Sequence, residues 1–88
     1  MATKELAIPL DRGGYRLAEG DDWYVEVHRM LYNWRLVVGL AELDGVSYEK
    51  GYCYFGTDQA TLAKAILAAR AWEDPLDTDP VGFDKRAY

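Results

Sequence analysis

The chain has 88 residues and a net charge of −5, and 50% of its residues are hydrophobic. This length suits one small domain, and an apolar content that includes three tryptophans and seven tyrosines excludes wholesale disorder. A single cysteine excludes an internal disulfide and a metal site made of cysteines alone. We find no membrane-spanning run, signal peptide or basic segment, so composition favours a cytoplasmic protein and weighs against membrane and nucleic-acid partners.

Residues 1–14 are predicted to form an N-terminal arm. Pro9 interrupts the short apolar patch of this arm, so the patch can form an edge strand or a loop but not a central strand. Residues 15–17 have the pattern of a short strand. The polar segment at residues 18–22 would let that strand pair with the next one as a fourth, edge strand.

Residues 23–31 alternate between two sets of side chains, as a β-strand requires. Trp23 and Val25 belong to the apolar set, and Tyr24 and His28 belong to the opposite set. One face of this strand is therefore predicted to be buried, and the other is predicted to be aromatic and polar.

The next strand, residues 34–41, is apolar at its even positions. A two-residue turn at Tyr32 and Asn33 pairs Val27 with Val38 and puts the two apolar sets on one inner face. A slip of one residue would put one apolar set on the wrong face.

A second turn is predicted at Asp44 and Gly45, a pair typical of type I′ hairpins. This turn pairs Arg35 with Tyr54 on the outer face. It also places Cys53 on the inner face, where a cysteine acts as a small buried hydrophobe.

Residues 57–73 are predicted to form a helix that Thr57 or Asp58 caps. Its apolar stripe consists of Leu62, Ile66, Ala69 and Trp72. Residues 74–88 form an acidic tail, which we expect to wrap the body in extended form.

These elements predict an α+β fold within a single domain, residues 1–88. An antiparallel meander of three to four strands occupies residues 15–56. One C-terminal helix packs on one face of the meander, and the extended acidic tail follows it.

The chain offers few groups for catalysis. His28 is the only histidine, and Glu26 lies on the same face of its strand, whereas Cys53 falls on the other face and is not placed to form a Cys–His pair. The tail acids lack the spacing of a calcium loop. We therefore predict a protein that is not an enzyme, with no catalytic residue, metal or cofactor. A small hydrolase that uses His28 and Glu26 is the competing hypothesis.

A single helix covers one face of a sheet, so the outer face needs another explanation. This face is predicted to carry Tyr24, His28, Arg35, Val37, Tyr48, Tyr52 and Tyr54. Because tyrosine and arginine are enriched at interface hot spots, these residues are the predicted protein-interaction surface. The alternatives are a homodimer, coverage by the arm or by the tail with Phe83 or Tyr88 as the plug, and single-stranded nucleic acid stacked on the tyrosines.

Several segments resemble small uncharacterised proteins of actinobacterial phages, especially mycobacteriophages. The resemblance covers about residues 14–85. The segments that carry it are DWYVEVHR at 22–29, NWRLV at 33–37, GYCYFG at 51–56, and Trp72 with PVGFDK at 80–85. It implies a phage-encoded protein that binds a host protein in the host cytosol, and it transfers no functional residue.

Residues 51–60, GYCYFGTDQA, followed by an alanine-rich helix, are similar to the strand-to-helix junction of HicB-type antitoxins. That resemblance implies a meander followed by a helix, with a small toxin as the partner. The chain lacks the Pro-Gly-Cys element of that family and an obvious DNA-binding segment. An antitoxin-like module is therefore an alternative function.

Overall fold

The structure of the protein, a computed structural model, describes residues 8–43 and 46–85. One sheet of five antiparallel strands, in the order β1-β2-β3-β4-β5, packs against one helix. The elements are β1 Ile8–Pro9, β2 Gly14–Glu19, β3 Trp23–Arg29, β4 Asn33–Leu43, β5 Val46–Phe55 and α1 Gln59–Ala71. The predicted α+β meander with one helix is confirmed, and the sheet has one strand more than the three or four predicted.

The additional strand, β1, lies at the edge of the sheet. Pro9 pairs there with Tyr15, at the kind of position that proline tolerates in a sheet because it has no N–H to donate. Strand β2 pairs with β3, which confirms the predicted fourth strand, but β2 lies between β1 and β3, so its predicted edge position is wrong. A bulge between Arg16 and Ala18 turns Leu17 and Ala18 together into the core.

The β3–β4 hairpin is shifted by two residues from the predicted register. Val25, rather than Val27, pairs with Val38. The Met30 N–H donates to the Asn33 carbonyl (2.9 Å), so the two-residue turn begins one residue earlier than predicted. Because side chains alternate with a period of two, this shift leaves the apolar sets of both strands on the inner face.

The β4–β5 hairpin departs from the prediction by one residue, and this changes faces. Leu43 pairs with Val46 next to the predicted turn, while residues 44–45 themselves lie outside the described residues. A bulge between Leu40 and Leu43 then shifts the remaining pairs, so that Leu36 rather than Val37 pairs with Tyr52. A one-residue shift moves every later side chain of β5 to the opposite face.

The helix α1 begins after the Asp58 cap, which was one of the two predicted caps. The Asp58 carboxylate accepts the Thr61 N–H (2.9 Å), and the helix ends at Ala71, two residues before the predicted end. Its buried positions are Leu62, Ala65, Ala68, Ala69 and the C-cap Trp72, which pack on the inner face, and Ile66 is partly buried. In the described part of the chain, no helix is long and apolar enough to cross a membrane.

The tail packs on the inner face beside α1, as far as residue 85. The Tyr52 hydroxyl donates to Asp79 (3.0 Å), and the Tyr54 hydroxyl donates to the Val81 carbonyl (3.1 Å). Phe83 meets the Tyr52 ring edge-on, with ring centres 5.0 Å apart. Coverage of the outer face by Phe83 is therefore wrong, and Tyr88 lies outside the described residues.

The tail also reaches the edge of β5. The Asp84 N–H donates to the Cys53 carbonyl (2.7 Å), and the Asp84 carboxylate accepts the Phe55 N–H (2.8 Å). These two bonds satisfy backbone groups of an edge strand that would otherwise be open to another strand.

Candidate functional site

The outer face is the side of the sheet opposite α1. Of the predicted interaction residues, Tyr24, His28, Arg35 and Val37 lie on this face as predicted. Tyr48, Tyr52 and Tyr54 do not, because the β4–β5 bulge turns them to the inner face. Their place on the outer face is taken by Glu49, Gly51 and Cys53.

The three tyrosines of β5 have different surroundings on the inner face. Tyr54 is fully buried, and Tyr52 is buried between Trp72 and Phe83. Tyr48 is 54% exposed at the rim of the sheet. Tyr52 and Tyr54 are therefore core residues, which corrects the prediction that they contact a partner.

A buried carboxylate lies at the centre of the outer face. The Glu26 side chain is only 11% exposed, and Arg16 donates to its Oε2 through Nε (2.9 Å) and Nη2 (2.7 Å). His28 Nε2 lies 2.8 Å from the other oxygen, Oε1. The Arg16 guanidinium offsets the cost of removing a carboxylate from water, and His28 adds a second polar contact.

Two glycines let long side chains lie flat on this face. A Cβ at Gly39 would overlap the Tyr24 ring, and a Cβ at Gly51 would overlap the Arg35 guanidinium. Val37 lies between these two glycines, beside Gly39 on its own strand and opposite Gly51, and it is fully buried. The outer face is therefore covered by its own side chains, and it is polar rather than aromatic.

Glu49 joins the two flat side chains. It accepts the Tyr24 hydroxyl (3.2 Å) and lies 3.4 Å from Arg35 Nη1. Burial and the nearby Glu49 charge raise the pKa of the Tyr24 phenol, so its hydroxyl remains a donor at neutral pH.

Cys53 lies on the outer face and is half-buried, which corrects its predicted inner position. Burial raises the pKa of its thiol, which disfavours the nucleophilic thiolate. His28, Arg35 and Cys53 occupy three successive strands, so the backbones of His28 and Cys53 are about 10 Å apart. A Cys–His catalytic pair is not formed, although the two residues share a face.

A cavity of about 480 Å³ opens at one end of this face, where the β1–β2 and β3–β4 turns meet. We call it the turn cavity. Its ionisable lining residues are Asp11, Arg12, Glu26, His28, Arg29 and Arg35. The Arg29 N–H donates to the Gly13 carbonyl (3.0 Å), which ties the β1–β2 turn to β3. This cavity could not be predicted from the sequence because its arginines come from separate elements, although each of them lies within or close to one of these turns.

Exposed apolar side chains lie beside the turn cavity. Met30 lines the cavity, and Leu31 and Tyr32 follow it in the turn with exposures of 78% and 71%. Phe55 is also exposed and is next to them, because the Gly56 N–H donates to the Tyr32 carbonyl (3.0 Å). We call these four side chains the apolar tip. The residue pattern of this segment predicted only a turn and gave no sign of an exposed apolar surface.

The part of the chain that the structure describes contains no group of three or more histidine, cysteine, aspartate or glutamate residues placed to hold a metal ion. Comparison with protein-family models finds no match, and comparison with curated proteins and with solved structures finds none either.

Proposed function

We propose that this is a small non-enzymatic interaction protein that binds a partner protein at the turn end of its outer face. The observation that carries the proposal is the exposed apolar tip, where Leu31 and Tyr32 lie beyond the cover of α1 and the tail, which both pack on the inner face. The proposal includes a cytoplasmic location, and a phage-type origin with a host protein as the partner.

The composition of the turn end supports a protein partner. Arginine, tyrosine, methionine and phenylalanine are enriched in protein interfaces, and all four residue types occur there. Leu31 and Tyr32 are large apolar side chains that water surrounds in the free protein. Their burial against a partner would release that water and favour binding.

A capture experiment with matched variants tests this proposal. Leu31→Asp places a charge in the apolar tip, whereas Leu67→Asp places one at a leucine of α1 that is 64% exposed and is not part of the tip. We expect the wild type and the Leu67 variant to retain the same protein from a mycobacterial lysate, and the Leu31 variant to lose it. Equal retention by both variants would contradict binding through the tip.

The same variants test whether the partner is a second copy of this chain. Sedimentation of a homodimer should show the wild type and the Leu67→Asp variant as dimers and the Leu31→Asp variant as a monomer. A wild type that remains monomeric at high concentration would exclude the homodimer and leave a different protein as the partner.

A second candidate function is general-base catalysis by His28. The contact that favours it is the 2.8 Å approach of His28 Nε2 to Glu26 in the wall of the turn cavity. Among the residues that the structure describes, the lining of that cavity contains no serine, threonine, cysteine or lysine that His28 could activate, so the nucleophile there would be a bound water. A hydrolase activity that disappears in His28→Ala would replace our proposal with this one.

Nucleic-acid binding has less support than the sequence suggested. The stacking platform that it required included Tyr52 and Tyr54, and both are buried beneath the tail and α1. Arg35 remains on the outer face. Salt titration with a single-stranded oligonucleotide separates the two functions, because binding to phosphates would weaken steeply with added salt.

A further inference from the structure

The turn cavity concentrates positive charge on an acidic chain. The chain carries a net charge of −5, yet three arginines line this one cavity. Asp11 and Glu26 are the acids of the lining. Glu26 is already balanced by Arg16, which lies outside the cavity and donates two hydrogen bonds to it. Among the described residues, Asp11 is therefore the one lining acid left to oppose the arginines, and Glu49, outside the lining, faces Arg35.

The arginines differ in how they are held. Arg12 makes no ion pair with any residue in the described part of the chain. Arg35 lies over Gly51 and faces the exposed Glu49 at 3.4 Å, a long contact that solvent weakens. Arg29 pairs with Trp34, and its guanidinium lies over the Trp34 ring on the inner face, 5.9 Å from the ring centre, so it supplies no ligand contact in the cavity. Arg12 and Arg35 are the guanidinium groups available to a ligand.

We propose that the turn cavity binds a carboxylate, namely a glutamate or aspartate side chain of an acidic segment in the partner protein. Arg12 and Arg35 supply the donors, and apolar residues of the same segment pack on Met30, Leu31 and Tyr32. Guanidinium groups bind carboxylates through paired, charge-assisted hydrogen bonds. This inference rests on the proposed function, because it names the chemistry of the partner at that surface.

The charge balance favours a carboxylate over a phosphate group. Asp11 lies in the same lining and would repel a doubly charged phosphate more strongly than a singly charged carboxylate. The negative charge of the whole chain also disfavours the approach of a polyanion. An acidic segment that also carries apolar side chains fits Arg12 and Arg35 in the cavity and the neighbouring apolar tip.

Nuclear magnetic resonance titration with acetate tests the site without knowledge of the partner. Acetate is the carboxylate probe, inorganic phosphate is the comparison, and ionic strength is held constant with chloride. We expect saturable shifts of the Gly13, His28 and Met30 amides with acetate, and a dissociation constant in the millimolar range because the probe is so small.

Three variants make this test specific. The double variant Arg12→Gln with Arg35→Gln should weaken acetate binding by about tenfold or more. Arg70→Gln, which changes an exposed arginine of α1 outside the cavity, should leave it unchanged. The single variant Arg12→Gln keeps the Arg35 contacts on the sheet, and it should weaken acetate binding even if the double variant fails to fold.

Several outcomes would overturn the inference. The absence of a saturable shift with acetate would contradict the site, and so would equal acetate binding by the Arg12→Gln and Arg70→Gln variants. Phosphate bound about tenfold tighter than acetate would instead assign the cavity to phosphoryl groups. The proposed function is judged separately, because a partner that Leu31→Asp loses and that the Arg12→Gln variant keeps would support the tip and reject the carboxylate site.

Discussion

On the inner face Leu36 is buried in the core that α1 covers, whereas on the outer face its neighbour Val37 is buried among side chains of the sheet itself. The inner coverage is a second layer of structure, in which Ala65 allows close contact between helix and sheet. The outer coverage consists of Tyr24 and Arg35, which lie flat over two glycines. The difference shows that a sheet can exclude water from both faces with only one helix, provided that the second face pairs its polar groups.

The largest expected effect lies on the inner face. Tyr54→Ala removes a fully buried ring that also donates to the Val81 carbonyl, and it should lower the free energy of unfolding by about 3–5 kcal/mol in urea denaturation. Tyr48→Ala, on the same strand and face but half-exposed, is the matched control and should change it by less than about 1 kcal/mol. Similar losses of unfolding free energy in the two variants would show that the difference in burial between Tyr54 and Tyr48 does not determine their contributions to stability.

The next effect concerns the polar pairing of the outer face. Glu26→Gln should lower the free energy of unfolding by about 1.5–3 kcal/mol, because it leaves Arg16 and His28 without their buried carboxylate. Glu49→Gln changes a more exposed carboxylate and should cost less than about 1 kcal/mol. If both variants lose the same free energy of unfolding, the stability of the outer face does not depend on its buried ion pair.

A smaller effect tests the flat packing of Arg35. Gly51→Ala should cost on the order of 1 kcal/mol, because its Cβ displaces the flexible guanidinium and uncovers Val37. In an Arg35→Ala background the same substitution should be neutral within about 0.5 kcal/mol. A double-mutant cycle measures the difference, and an unchanged cost in the second background would mean that another group opposes the methyl.

The smallest expected effect lies away from both faces, at the helix cap. Hydrogen bonds from Thr61 lower the pKa of the Asp58 carboxyl, so the folded state favours its charged form. The stabilisation is therefore complete above the unfolded pKa of about 3.9 and is lost as the pH falls through the lower folded value. Asp58→Ala should lower the melting temperature slightly at neutral pH, and thermal melts below about pH 4 should show that difference shrinking. A difference that does not depend on pH would rule out the charged cap as its cause.

Much of the fold could be predicted because its signals are local. Alternation identified β3 and β4, and Asp58 with the apolar stripe of the following residues identified α1. The two-residue error in the β3–β4 register did not change the predicted faces of these strands, because a shift of two residues keeps the same side chains toward the core.

The face of β5 could not be derived from its turn alone. A bulge between Leu40 and Leu43 adds one residue to one strand, and turn rules applied to residues 44–45 do not reveal it. The residue pattern of β5 itself indicates which face is buried. Tyr52 and Tyr54 alternate with Gly51 and Cys53, and the larger tyrosine rings fill the core better.

The candidate site could be predicted only where it depended on β3 and β4. Tyr24, His28, Arg35 and Val37 follow from alternation in those two strands. The turn cavity depends on the position of Arg12 beside β3, which the hydrogen bond between Gly13 and Arg29 fixes. This bond is a tertiary contact between distant parts of the sequence. No local pattern encodes such a contact.

The strand order has a consequence for the rate of folding. Each strand pairs only with its neighbours in the chain, so most contacts of the sheet close short loops. The contacts of the tail with Tyr52, Tyr54 and Phe55 instead join residues 27 to 29 positions apart. We therefore expect the meander to assemble before the tail docks, so that a folding intermediate presents the tyrosines of β5 to solvent and is the species most prone to aggregate.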